Sequence, residues 1–162
     1  MKNIEIFHAL SGLLLADLYE QFPLKVNVRP GDLAIRLDDE LWKDSLLPDE
    51  NQPNVSTYIR RYSPVALARP TVEWLASAGL ITYAGMRDGE FKDVCLTARG
   101  LEVISTKSGP TGRLLEAAKE LTVETAKESA REYLRTLGSE VVRWCAEKTP
   151  LVVQMVVNSA QS

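Results

Sequence analysis

Arg60, Arg61 and Arg69 fall between Asn51 and Pro70, a run that contains no Asp or Glu. Ser56, Thr57, Tyr58, Tyr62 and Ser63 are interleaved with them. Guanidinium groups set among hydroxyls suit phosphate oxygens, because the cations supply charge and the hydroxyls donate hydrogen bonds. Thr71 and Ser77 extend the hydroxyl set downstream. Arg87 and Lys92 add two cations, but Asp88, Glu90 and Asp93 accompany them. The chain as a whole carries a formal charge of -3, so no global field draws phosphate and any attraction must be local. The same arginines would serve equally as solvated surface or as ion-pair partners for carboxylates elsewhere in the chain.

Other chemistries find less support. His8 is the only histidine, and Cys95 and Cys145 are isolated thiols without a C-x-x-C spacing. This excludes the usual four-ligand zinc patterns and leaves two reduced packing cysteines as the expectation. The sequence has no glycine-rich phosphate loop and no G-x-S-x-G. Asp38, Asp39 and Glu40 are consecutive, so on a helix they point in different directions and read as a solvated helix end. No enzyme, cofactor or metal site is expected.

The elements that would position these residues follow from periodicity. Ile6, Leu10, Leu13, Leu14, Leu18 and Phe22 form one helical stripe ended by Pro23. Residues 24–29 alternate as a short strand, and a second helix carries Leu33, Leu37 and Leu41 after Asp32. A polar loop with two prolines leads to a helix bearing Tyr58, Ile59 and Tyr62, which Pro64 ends or interrupts. A further helix starts at Arg69-Pro70 and closes at Gly79. Two β-prone runs then flank Asp88-Gly89, a dipeptide suited to a tight hairpin turn, and Thr97 caps a short helix. In the helix before Gly79, two facings are compatible with the pattern. One turns Val72, Leu75 and Ala76 inward and leaves Trp74 partly outward; the other buries Trp74 with Thr71, Leu75 and Ala78. Pro70, Glu73 and Ser77 are exposed in both.

The stretch "TVEWLASAGLITYAGMRDGEFKDVCLTARGLEVI" resembles the winged helix-turn-helix arrangement. In that arrangement a helix ending in "GLI" runs into a wing hairpin and closes with an "LT-x-x-G" helix. The likeness covers residues 54–104 well and 4–40 loosely. It implies a mainly α fold with a small β-hairpin wing, with residues 1–107 as the winged helix-turn-helix domain. It further implies double-stranded DNA as partner and a dimeric transcriptional regulator, with Arg69, Thr71, Glu73 and Ser77 facing DNA and Arg87 and Lys92 on the wing; the basic run adds Arg60 and Arg61 as phosphate contacts. Glu73 repels phosphate, however, and no arginine stands mid-helix to read guanine. The alternative is a winged-helix protein-interaction module, adaptor or antitoxin-like, with an outward Trp74 as contact.

Residues 108–162 form an expected helical C-terminal extension after the joint "TKSGPTG". Its stripe includes Leu121, Tyr133, Leu137 and Trp144, and breaks are expected at Gly138-Ser139 and Thr149-Pro150. These amphipathic helices suit homodimerisation or folding back onto the preceding domain. The apolar "LVVQMVV" favours a protein partner. It is too short to span a bilayer, and the N-terminal residues lack the features of a signal peptide, so a soluble cytoplasmic protein without membrane contact is expected.

Overall fold

Apolar residues are so dense between Ile6 and Leu18 that the first helix is buried on nearly all sides. The single stripe expected there is only part of the pattern. Ala9, Gly12, Leu15 and Ala16 form a second buried side, and small residues on it admit a neighbouring backbone. The computed structural model describes residues 3–37, 64–107 and 111–161. Arg60, Arg61, Asp38 to Glu40 and the helix expected around Tyr58 lie outside the described residues. In chain order the elements are α1 (Asn3–Gln21), β1 (Val26–Val28), α2 (Pro30–Leu37), α3 (Pro64–Ser77), β2 (Ile81–Thr82), β3 (Gly85–Arg87), β4 (Glu90–Leu96), α4 (Ala98–Lys107), α5 (Thr111–Glu120) and α6 (Lys127–Gln161). The result is a mainly helical fold with a small four-stranded sheet, and among the described elements α1 touches every other helix and β4.

The closest of these contacts joins α1 to α6. A Cβ on Gly12 would stand 2.1 Å from the Leu134 carbonyl oxygen, and one on Gly138 would stand 1.8 Å from that of His8. Only glycine lets the two backbones approach so far. Gly138, expected to kink the tail, is therefore a contact residue inside a continuous helix. Thr149-Pro150 does not interrupt α6 either. The break comes earlier, at Leu121 to Ala126, where the Thr122 hydroxyl donates to the Lys119 carbonyl and the next turns are not helical. β-branched Thr122, Val123 and Thr125 lose rotamer freedom in a helix, which favours the break there. Charged groups tie the same interface: Arg135 pairs with Glu5 at 3.2 Å, and Arg131 Nε donates to the Leu37 carbonyl at 2.7 Å, capping α2.

In the sheet β4 is central, with antiparallel β1 on one side and β2 and β3 on the other. Asp88 and Gly89 both have positive φ, 53° and 74°, between the paired Arg87 and Glu90. This is the tight hairpin the sequence predicts. Asp93, with φ 54°, is an extra residue in β4 opposite β1, and the Asn27 side chain accepts its N–H at 3.2 Å.

The "GLI" and "LT-x-x-G" letters meet in one joint. Gly79 has φ 79°; its N–H donates to the Ala76 carbonyl while that of Leu80 donates to Leu75, a glycine-terminated helix end. The Thr97 hydroxyl donates to the Gly79 carbonyl at 2.6 Å and accepts the Gly100 N–H at 3.0 Å, capping α4. A Cβ on Gly100 would meet the Leu80 carbonyl oxygen at 2.1 Å. Helix end, hairpin base and helix start thus share a few atoms.

Two outcomes follow from this packing. Gly12→Ala and Gly138→Ala should each destabilise the fold by about 1–3 kcal/mol or more, as overpacking against rigid backbone does. Gly85→Ala, where the added Cβ meets nothing within 4 Å, should change little in the same urea titration. The second outcome concerns pH. Burial, aided by the Arg135 guanidinium, holds the His8 imidazole below its ordinary 6.5 against the opposing pull of Glu5. The unfolded chain therefore takes up this proton first, so stability falls as pH drops below about 6.5 and the loss is complete below the folded value. An NMR titration of the single histidine, with stability measured in parallel for His8→Gln, should show the variant lacking that slope.

Candidate functional site

α3 has two faces of different character. Ala68, Thr71, Val72 and Leu75 turn into the core, while Arg69, Pro70, Trp74 and Ser77 stand in solvent. The helix begins at Pro64, not at Arg69-Pro70, because a proline needs no N–H partner in a first turn. Pro70 then sits inside it, on the exposed side. Thr71 corrects the sequence expectation: it is 3% exposed and its hydroxyl donates to the Leu67 carbonyl at 2.7 Å, so that hydroxyl is not turned out toward phosphate. Ser77 is exposed, with its hydroxyl donating to the Glu73 carbonyl at 3.0 Å. Arg69 and Glu73, one turn apart, pair at 3.0 Å.

The hairpin repeats this pattern. Glu90 takes Lys92 in a short ion pair and Arg29 at 3.7 Å. Hydrogen bonding from Lys92 holds the Glu90 carboxyl below the usual range, so it is ionised at neutral pH. Arg87 is exposed beside the turn and has no ion-pair partner among the described residues. On α3 and the hairpin, Glu73 thus pairs with Arg69 and Glu90 with Lys92, while Arg29, which follows β1, also reaches Glu90.

Trp74 follows the first facing considered above. It is 37% exposed, with its ring in a T-shaped contact with Phe7 at 5.2 Å between centroids. Ile4, 54% exposed, lies beside it. Together with Asn3, Leu67, Pro70 and Thr71 they line an open groove of about 380 Å³ between the start of α1 and α3, and among the described residues no charged side chain lines it. The sequence signals one half of this groove through Trp74. The α1 half, Ile4 and Phe7, was not foreseen, because the stripe that predicts α1 runs through other residues.

No protein-family model matches this chain, nor does any curated protein or solved structure.

The remaining expected contact residues serve the interior. Leu121 and Leu137 are buried at 5% and 3% exposure, and Tyr133 and Trp144 pack against the same core. The α6 stripe thus lies on α1 of its own chain, which leaves that surface unavailable for pairing two copies. Arg99 stacks over Trp144 at 5.0 Å, and burial pushes the neighbouring Cys145 thiol up; Cys145 and Cys95 are both free.

A second concavity, about 510 Å³, is lined by Asp17, Glu20, Asn27, Arg29, Asp32 and Arg36 among others. One pair of its charges is structural. Arg36 grips Asp17 through two hydrogen bonds, at 2.5 and 3.0 Å, fastening α2 to α1. Burial nevertheless raises the Asp17 carboxyl above its ordinary value, against the effect of Arg36. Among the described residues no group of three His, Cys, Asp or Glu is placed to hold a metal, and no helix is long and apolar enough to cross a membrane.

If the carboxylates are what silence these cations, removing them should expose a phosphate-binding surface. Glu73→Gln with Glu90→Gln is expected to raise affinity for a generic DNA duplex at low salt and to steepen its salt dependence by about 2 in log–log slope. Fluorescence anisotropy over a salt series reads both quantities, and unchanged curves would show that pairing is not what limits contact.

Proposed function

We propose that this chain is a winged-helix module that binds protein through the groove between the start of α1 and α3. The winged-helix assignment draws on the element order and on the hairpin that follows the glycine-capped α3. The observation that carries the functional reading is an open apolar groove, centred on Trp74, beside which Arg69 and Glu73 pair with each other. Such a surface selects apolar anchors and offers little to a polyanion. A tryptophan that stays partly exposed while its ring is held by Phe7 is a preorganised contact, and large aromatics in apolar pockets dominate protein interfaces.

DNA is the second reading, favoured by Arg87, which stands exposed beside the hairpin turn, and by the basic run with Arg60 and Arg61. In that reading the chain is a dimeric regulator, and Arg60, Arg61, Arg69, Ser77, Arg87 and Lys92 meet phosphate.

Photo-reactive residues placed singly at positions 74 and 87 separate the two. Capture of protein from position 74, with weak or absent duplex binding at low salt, is expected. Capture of DNA from position 87, salt-steep affinity lost in Arg60→Ala plus Arg61→Ala, and silence at position 74 would reverse the assignment in favour of DNA.

A further inference from the structure

The concavity between the end of α1, β1 and α2 is lined by five charged side chains, Asp17, Glu20, Arg29, Asp32 and Arg36. Three of them are spent within the chain. Arg36 and Asp17 take each other through two hydrogen bonds, and Glu20 leans on Lys119 at 4.0 Å. Arg29 reaches Glu90 only at 3.7 Å, and that carboxyl is already held by Lys92. Asp32 has no ion-pair or side-chain hydrogen-bond partner among the described residues.

Arg29 and Asp32 nevertheless stand close. The Asp32 N–H donates to the Arg29 carbonyl at 3.1 Å, closing a tight turn that sets their Cα atoms within about 7 Å. Both side chains line the same concavity, yet they do not pair with each other. A cation and an anion so near, and unjoined, offer two-point recognition. Leu18, Val28 and Leu33, all nearly buried, add an apolar part to the same wall. The volume, about 510 Å³, suits a small molecule. A simple anion would meet Arg29 but also three carboxylates, and a simple cation would meet Asp32 but also two guanidinium groups. A molecule that carries both charges, with an apolar body beside them, satisfies both.

We infer that this concavity binds a free α-amino acid with an apolar side chain, its carboxylate on Arg29 and its ammonium on Asp32. A single carbon separates the two charges of such a ligand, which suits two side chains that leave the backbone at one tight turn. Binding draws Arg29 to the ligand and leaves Glu90 to Lys92. The concavity lies at the opposite end of α1 from the Trp74 groove, and the inference does not rest on what that groove binds.

An NMR chemical-shift titration of the full-length chain with L-phenylalanine tests it. The comparison ligands are phenylalanine amide, which lacks the anion, and N-acetylphenylalanine, which lacks the cation. The amino acid should shift the amides of Asn27, Gly31 and Asp32 and bind about tenfold tighter than either half. Asp32→Asn should lower its affinity to that of the N-acetyl form, and Arg29→Gln to that of the amide. Both side chains are exposed, so far-UV circular dichroism should be unchanged in the two variants. If the amino acid binds no better than one of its halves, a single charge is being read and the inference is overturned. Shifts confined to Phe7 and Trp74 would place the ring in the apolar groove and overturn it too, with the groove's assignment untouched. No shift at about 10 mM ligand would reject the site.

Discussion

The approach of two backbones at Gly12 and Gly138 is the constraint on which the rest of this molecule is built. Because no side chain separates them there, α1 and α6 lock in one register, and that register fixes what α6 can reach. Arg135 finds Glu5, Arg131 finds the last carbonyl of α2, and Trp144 meets Arg99 at the start of α4. α1 in turn carries α3 on its other side, so the pose of the exposed α3 face depends on a contact made across the helix core. Leu134, Leu137 and Val141 are nearly inaccessible as a result, each burial contributing about 1.5–3 kcal/mol.

The second organising feature is electrostatic economy at the surface. Arg69 with Glu73 and Lys92 with Glu90 are local pairs, each worth little to stability where exposed. Their importance lies in what they cancel. Arg69 and Lys92 are cancelled where they stand, and the apolar groove beside Trp74 becomes the most distinctive chemistry of the α3 face. Charge counted along the sequence located the cations correctly but could not show which carboxylates stand against them.

Much of the fold was legible in the letters. The glycine-ended α3, the Asp88-Gly89 turn and the Thr97 cap each have a local backbone cause, and local causes can be read from a few residues. The errors have non-local causes. A polar Thr71 is buried because its own helix supplies an acceptor and its neighbours fill the core. Gly138 looked like a break because the sequence does not reveal the carbonyl of His8 lying against it. The tail's stripe was compatible with a partner copy or with its own domain, since an apolar stripe specifies burial and says nothing about whose surface provides it. The groove was half visible for the same reason: Trp74 offered two facings, and only the packing of Phe7 against it decides between them.

The location of α1's cover has a consequence during synthesis. α1, the most apolar of the described helices, is synthesised well before α6, the helix that shields its glycine-bearing side. At about 5–20 residues per second the interval is on the order of ten seconds. Throughout it, Leu13, Leu15 and Ala16 have only partial shelter, from helices that have not yet been fastened by Arg131 and Arg135. The nascent chain is thus held in a sticky, incomplete state until α6 has formed. Folding of this protein should accordingly depend on whatever keeps α1 from other chains until α6 arrives.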